Sequence, residues 1–100
     1  MSEILPGQHC TTMSEVRAGV DALDRELVAL LRRRFDYMDA AARIKPTRSA
    51  VRDEARKAQV IAQARDEAER RGLPADAVAA MWETLVEASI AYELAAFDAR

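Results

Sequence analysis

The stretch that decides the fold is EVRAGVDALDRELVALLRRRFDYMDAAARIKP, residues 15–46. Apolar residues recur in it at spacings of three and four, which places their side chains on one side of an α-helix. Thr12 and Glu15 fit a capping box at its start. The pattern continues until Pro46, which disfavours helical backbone at the residue before it. We therefore predict a first helix over about residues 13–44.

Two shorter helices are expected to follow. The second should start at residues 51–53 and end at Arg71, because Gly72 suits the left-handed backbone conformation that often terminates a helix. The third should run from about Ala75 to about Phe97. The chain is 50% hydrophobic and only 5% aromatic, with three glycines and three prolines. This composition predicts an all-α fold of three helices with a very long first helix.

The length of the first helix suggests a dimer. One hundred residues are enough for one domain, and we predict a flexible N-terminal tail over 1–11 followed by a helical domain over 12–100. A helix of this size is roughly 45–50 Å long, whereas a compact chain of 100 residues is only about 33 Å across. Because the apolar side continues along the overhang, we predict an intertwined homodimer in which the two long helices pack together.

Charge and cysteine content exclude several classes of protein. The net charge of −2 provides no general attraction for nucleic acid or an anionic membrane. Cys10 is the single cysteine, which excludes an intrachain disulfide and fits a reducing compartment. His9 and Cys10 have no second histidine or cysteine to complete a metal site, so no metal is expected. Residues 1–10 are too short and polar for a signal peptide, and a cytoplasmic location is predicted.

The cationic side chains of the first helix are unevenly placed around it. Arg34 and Lys45 are 11 residues apart, so they lie about 20° apart around the helix and roughly 16 Å apart along it. Arg17 is roughly 25 Å from Arg34 and about 100° away, so it could serve only the site of an antiparallel partner. Periodicity alone leaves open a solvated basic surface, which is the commoner arrangement on a surface helix.

A family resemblance gives these cations a function. The first helix resembles that of the all-helical chorismate mutases, where an arginine near the start precedes IDxLDxxLxxLLxxR and a lysine eleven residues later. VRDEAR, residues 51–56, resembles the start of their second helix, and LVEASIAYE, residues 85–93, resembles a motif of their third. The lead-in CTTMSEVR, residues 10–17, and the eight-residue gap between the lysine and the aspartate of the second helix resemble the isochorismate pyruvate lyase branch.

The resemblance implies a set of residues that bind a small dicarboxylate with an enolpyruvyl ether. Arg34 and Arg56 would bind the two carboxylates, and Lys45 would contact the ether oxygen and a carboxylate. Arg17 would reach into the site of the neighbouring chain. The implied substrate-binding residues are Arg17, Arg34, Lys45, Asp53, Arg56, Val86, Ser89 and Glu93, and those with catalytic roles are Lys45, Glu93 and Arg34.

The remaining positions include two departures from the commonest family pattern. Asp53 would lie near the ring hydroxyl of the substrate, and Val86 and Ser89 would line the pocket. Glu93 stands where many members have glutamine, and it would contact the ether oxygen. Since an ionised glutamate would repel the developing charge, we expect activity to fall as pH rises. Lys57 stands where several mutases have a glutamate that helps hold the hydroxyl, which puts that contact in question.

The reaction implied is the pericyclic conversion of chorismate to prephenate, which needs no cofactor. The alternative within the family is the conversion of isochorismate to salicylate and pyruvate. An alternative of another class is a non-catalytic helical dimer that binds an acidic partner through its cations. The enzyme interpretation predicts that Arg34→Ala and Lys45→Ala cause a large loss of turnover with little loss of stability. The interaction module predicts that folding tolerates both substitutions and that the protein has no small-molecule pocket.

Overall fold

Residues 4–100, the part of the chain that the computed structural model describes, form three α-helices and no strand. The helices are α1 Met13–Ile44, α2 Glu54–Arg70 and α3 Ala75–Asp98, and short 3₁₀ turns occupy Gly7–His9 and Arg48–Ala50. The predicted all-α class, the three helices and the long first helix are thus confirmed. The first three residues of the predicted N-terminal tail lie outside the described residues.

The predicted capping box starts α1. The Thr12 hydroxyl accepts a hydrogen bond from the Glu15 amide at 3.2 Å, and Glu15 Oε1 accepts from the Thr12 amide at 2.9 Å. The Thr11 amide donates to the same carboxylate oxygen at 2.9 Å. Hydrogen bonds from the Thr11 amide and from the hydroxyl and amide of Thr12 hold the pKa of Glu15 below its ordinary value. These contacts satisfy amides that have no partner within the helix.

Local signals also set both ends of α2. Asp53 is its N-cap, and the side chain accepts a hydrogen bond from the Arg56 amide at 3.0 Å. At the other end Gly72 has φ +69°, the conformation that glycine adopts most easily. The amide of Leu73 donates to the Ala68 carbonyl at 2.9 Å, and that of Gly72 donates to Glu69 at 3.1 Å. This is a Schellman motif, and it explains why the helix stops where the glycine predicted.

The chain divides into two compact units, residues 1–36 and 37–100. In the first unit, the apolar stripe of α1 is open to solvent in the single chain: Leu23, Leu27 and Leu30 are 58%, 56% and 53% exposed. A row of large exposed apolar side chains of this kind marks an interaction surface.

The second unit has its own hydrophobic core. Val51, which precedes α2, is buried together with Val86 and Ile90 of α3. Half-buried apolar side chains pack against these three from α2 and α3: Val60, Ile61, Trp82, Leu94 and Phe97. Since helices α2 and α3 pack against each other, the face of α3 that carries Val86 is fixed in place. No helix of residues 4–100 is long and apolar enough to cross a membrane.

Charged side chains link α2 to α3 at the surface. The Lys57 ammonium lies 2.7 Å from Glu83 and 2.8 Å from Glu87, and Arg52 contacts both carboxylate oxygens of Glu87 at 2.9 and 3.0 Å. Hydrogen bonds from Arg52 and then Lys57 lower the pKa of Glu87 from 4.5 to about 2. Glu87 is therefore ionised and paired over most of the pH range in which the protein is folded.

This ion pairing predicts how Glu87 affects acid stability. Because the folded-state pKa of Glu87 is depressed to about 2, its stabilising contribution is present above its ordinary pKa and is lost as pH falls toward 2. We expect Glu87→Gln to be less stable than wild type at neutral pH and to lose less stability on acidification. Urea unfolding at about pH 7 and about pH 3 measures both effects. Glu26→Gln, which alters an exposed carboxylate of α1, is the control, and an unchanged pH dependence in Glu87→Gln would contradict the prediction.

Candidate active site

Two of the residues assigned catalytic roles from the sequence are in direct contact. The Lys45 ammonium lies 2.7 Å from Glu93 Oε2, and it also donates to the Val51 carbonyl at 3.4 Å. Lys45 directly follows α1, whereas Glu93 lies on α3. The Glu93 side chain is only 5% exposed and that of Lys45 is 30% exposed. A buried carboxylate therefore holds an ammonium group that a ligand can still reach from solvent.

The predicted pocket residues of α3 share one buried face. Val86, Ser89 and Glu93 are 7%, 4% and 4% exposed, and their spacing of three and four places them on one side of the helix. The Ser89 hydroxyl donates to the Leu85 carbonyl at 2.7 Å, so its proton is directed at the helix backbone. The only buried polar residues among 4–100 are Ser89 and Glu93, whereas Val86 packs in the hydrophobic core with Val51 and Ile90.

Asp53 and Arg56 lie together at the start of α2. One carboxylate oxygen of Asp53 caps the helix through the Arg56 amide. Both residues are exposed, and the Arg56 guanidinium donates to Gln59 Oε1 at 2.7 Å. Asp53 thus has a structural role in this chain, whereas its expected contact with a substrate hydroxyl stays a prediction. The same holds for the carboxylate contact expected of Arg56.

Lys57 occupies the position where several mutases have glutamate, and its side chain contacts α3. Its two carboxylate partners, Glu83 and Glu87, raise its pKa, with Glu83 as the larger cause. Only 16% of the side chain is exposed. Lys57 therefore links two helices, and as a lysine it cannot make the carboxylate contact to the substrate hydroxyl that the glutamate makes in those mutases.

The other two arginines predicted to bind substrate lie on α1 in the first unit. Arg17 is exposed, and Arg34 is half-buried. Residues 37–100 contain the six remaining predicted positions, from Lys45 to Glu93. Among these six, Lys45 and Glu93 contact each other through their side chains. No cluster of three or more potential metal ligands occurs within residues 4–100.

One contact near the site has no signal in the sequence. Arg100 donates to the carbonyl oxygens of Ala42 and Lys45 at 3.1 and 2.7 Å, and to that of Pro46 at 3.4 Å. Its guanidinium also lies 3.7 Å from the centre of the Phe97 ring. A single arginine after a helix predicts nothing about such a contact, because its partners are more than fifty residues away in the sequence.

Of the residues with predicted catalytic roles, Lys45 has a partly exposed side chain whose ammonium contacts the buried carboxylate of Glu93. Comparisons with known proteins identify the family. Residues 16–94 match the sequence profile of the family described as chorismate mutase type II. Over 87 residues the chain is 30% identical to the isochorismate pyruvate lyase of Pseudomonas aeruginosa, a match that covers 87% of this chain and 86% of that protein. The chain therefore belongs to the chorismate mutase type II family, and it is an enzyme of that family.

Proposed function

We propose that the protein converts chorismate to prephenate, and that Lys45 is its central catalytic residue. The observation that carries this proposal is the Lys45 ammonium, which lies 2.7 Å from the buried carboxylate of Glu93 on a side chain that is 30% exposed. In this rearrangement a C–O bond of the enolpyruvyl ether breaks as a new C–C bond forms. Negative charge builds on the ether oxygen, and a preorganised ammonium donor stabilises it by about 3 to 4 kcal/mol.

Binding of the substrate rests on guanidinium groups that clamp its two carboxylates. Arg34 and Arg56 are the proposed partners, since a planar guanidinium can donate two parallel hydrogen bonds to one carboxylate. Such a clamp holds the substrate in the compact conformer that reacts. Asp53 is proposed to lie near the ring hydroxyl. Arg17 would enter the site of a second chain in a homodimer located in the cytoplasm, where the single cysteine would stay reduced.

The exposed stripe of α1 supports the homodimer, and one substitution tests it. Leu27 is 56% exposed in the single chain. If a second copy covers this side of α1, Leu27→Glu buries a charge in the interface and should shift the protein toward monomer. Sedimentation velocity over a concentration series measures the association. Ala29→Glu, about 200° away around the helix, is the matched control, and equal behaviour of the two variants would contradict the predicted interface.

Conversion of isochorismate to salicylate and pyruvate is the second candidate, and two observations favour it. The relative that is 30% identical to this chain is an isochorismate pyruvate lyase. In addition, position 57 is a lysine, whereas several mutases have a glutamate there that helps hold the substrate hydroxyl. This reaction also breaks the enolpyruvyl C–O bond, so the same ammonium group would stabilise the same oxygen.

A direct comparison of substrates tests the proposal. Purified protein is supplied with chorismate and isochorismate separately, and prephenate, salicylate and pyruvate are quantified. Lys45→Met serves as the control for contaminating enzymes. Formation of prephenate as the dominant product supports the mutase, and salicylate with an equal amount of pyruvate supports the lyase. If neither substrate is converted, both proposals fail.

Glu93→Gln tests the role of Glu93 separately. Its carboxylate contacts the Lys45 ammonium at 2.7 Å, whereas the proposed role at the ether oxygen needs a hydrogen-bond donor. Glutamine supplies an amide donor, so we expect Glu93→Gln to retain turnover. A loss of kcat as large as that of Lys45→Met would contradict the donor role.

A further inference from the structure

Arg100 lies against the backbone on which Lys45 is carried. Its Nη1 atom donates to the carbonyl oxygens of Lys45 and Ala42 at 2.7 and 3.1 Å, and Nη2 donates to that of Pro46 at 3.4 Å. The guanidinium stacks on the Phe97 ring at 3.7 Å. We propose that Arg100 is a positioning residue that orients Lys45 for catalysis, an inference that rests on the proposed function of Lys45.

These contacts form where the helix backbone needs partners. The last carbonyl groups of an α-helix have no amide within the helix to accept from, and they carry the negative end of its dipole. The carbonyl of Ala42, in the last turn of α1, and that of Lys45, directly after it, are both acceptors for Arg100. A cation that donates several hydrogen bonds at this point stabilises one conformation of the helix end.

Lys45 is consequently held at both ends of the residue. Its amide donates to the Ala41 carbonyl at 2.9 Å, and its own carbonyl accepts from Arg100. Its ammonium contacts Glu93 of α3 at 2.7 Å. Since Phe97 and Arg100 follow Glu93 on and just beyond the same helix, one element fixes both the backbone and the charged end of Lys45. Without Arg100 the backbone that aims the ammonium would have more freedom, and the contact of Lys45 with Glu93 would open more often.

Arg48 is a natural control for this inference. It is also an exposed arginine that anchors the same connection to α3, through contacts with both oxygens of Asp98 at 2.9 and 3.2 Å. Arg48 lies three residues beyond Lys45, and its contact joins two side chains, whereas Arg100 contacts backbone carbonyls. If general stiffening of the connection were responsible, loss of either arginine would have the same effect.

Steady-state kinetics on the full chain give the first test. We expect Arg100→Gln to lower kcat by about tenfold or more with KM within about twofold. A misplaced donor reduces the stabilisation of the transition state more than it reduces substrate binding. Arg100→Lys should recover part of the loss, since one ammonium can reach fewer of the carbonyls. Arg48→Gln should change kcat by less than about twofold. Equal effects of Arg48→Gln and Arg100→Gln, or an unchanged kcat in Arg100→Gln, would overturn the proposal.

A second measurement does not depend on enzyme activity. Lys45 and Lys57 are the two lysines of the chain, so trace acetylation followed by mass spectrometry gives a reactivity ratio with an internal reference. We expect the reactivity of Lys45 relative to that of Lys57 to rise by about threefold or more in Arg100→Gln, because local opening frees the Lys45 amine. The same ratio should stay constant in Arg48→Gln. An unchanged ratio in Arg100→Gln overturns the positioning role even if neither substrate is turned over. If the ratio rises but neither substrate is converted, the role of Arg100 in holding Lys45 is supported and only the proposed function is refuted.

Discussion

Lys45→Met is expected to lower kcat by about two to three orders of magnitude, which corresponds to the 3 to 4 kcal/mol that a preorganised donor contributes at a developing oxyanion. Methionine retains the length of the side chain and removes the ammonium group that lies 2.7 Å from Glu93. KM should change less than kcat, because the variant keeps the arginines that are proposed to bind the carboxylates. Stopped-assay quantification of product over a substrate series separates the two constants.

The same substitution should also reduce stability, contrary to the expectation from sequence that removal of Lys45 costs little. The Glu93 side chain is only 5% exposed, and removing one partner of a buried ion pair costs about 3 to 5 kcal/mol. The double variant Lys45→Met with Glu93→Gln should recover much of that loss because it removes the uncompensated charge. Turnover should stay low in the double variant, since no ammonium is restored.

Lys57→Met is the matched control for Lys45→Met. Lys57 is a lysine with two carboxylate partners, so its loss should lower stability while turnover stays within about twofold of wild type. The catalytic assignment of Lys45 would be wrong if the two lysine variants lost turnover equally, or if Lys45→Met kept wild-type kcat.

Mixing two inactive variants is expected to restore activity if Arg17 serves the neighbouring chain. Arg17→Ala and Lys45→Ala homodimers would each lack one essential group in both sites. In a mixed dimer, one site would combine Arg17 from one chain with Lys45 from the other. Random exchange of equal amounts makes half of the dimers mixed, so about a quarter of wild-type activity should return.

Two controls define the result of the mixing experiment. Refolding each variant alone should leave it inactive, and a mixture of Arg34→Ala with Lys45→Ala should regain nothing, because those two residues are proposed to serve one site from the same chain. Activity that stays at the sum of the separate variants after demonstrated chain exchange would show that Arg17 does not cross between chains. Recovery of activity in the mixture of Arg34→Ala with Lys45→Ala would show that these two residues reach one site from different chains.

The sequence was sufficient for features set by neighbouring residues. The Thr12 and Glu15 pair predicted the start of α1, and Gly72 predicted where α2 stops; both work through hydrogen bonds that span a few residues. Asp53 shows the limit of such reasoning. The resemblance implies that Asp53 lies near the substrate, whereas the structure shows that its side chain caps α2. Because the N-cap residue precedes the helix, α2 begins at Glu54 and not within residues 51–53 as predicted.

Contacts between distant residues needed the structure. Lys57 was recognisable as a departure from the family pattern, but its partners on α3 were not, because any of several acidic residues could have met it. The contacts of Arg100 were not predictable from the sequence. Its acceptors are backbone carbonyls, and every residue of the chain offers one.

The sequence by itself determined the helical class, the length of α1 and the family, because periodic burial, capping and motif spacing act along the chain. Only the tertiary structure decided which charges meet. The contact of Lys45 with a buried Glu93, the cross-link of Lys57 to α3 and the attachment of Arg100 to the end of α1 all depend on how the helices pack. Packing depends on the combined burial of many apolar side chains, so it cannot be predicted from the spacing of any one pair of residues.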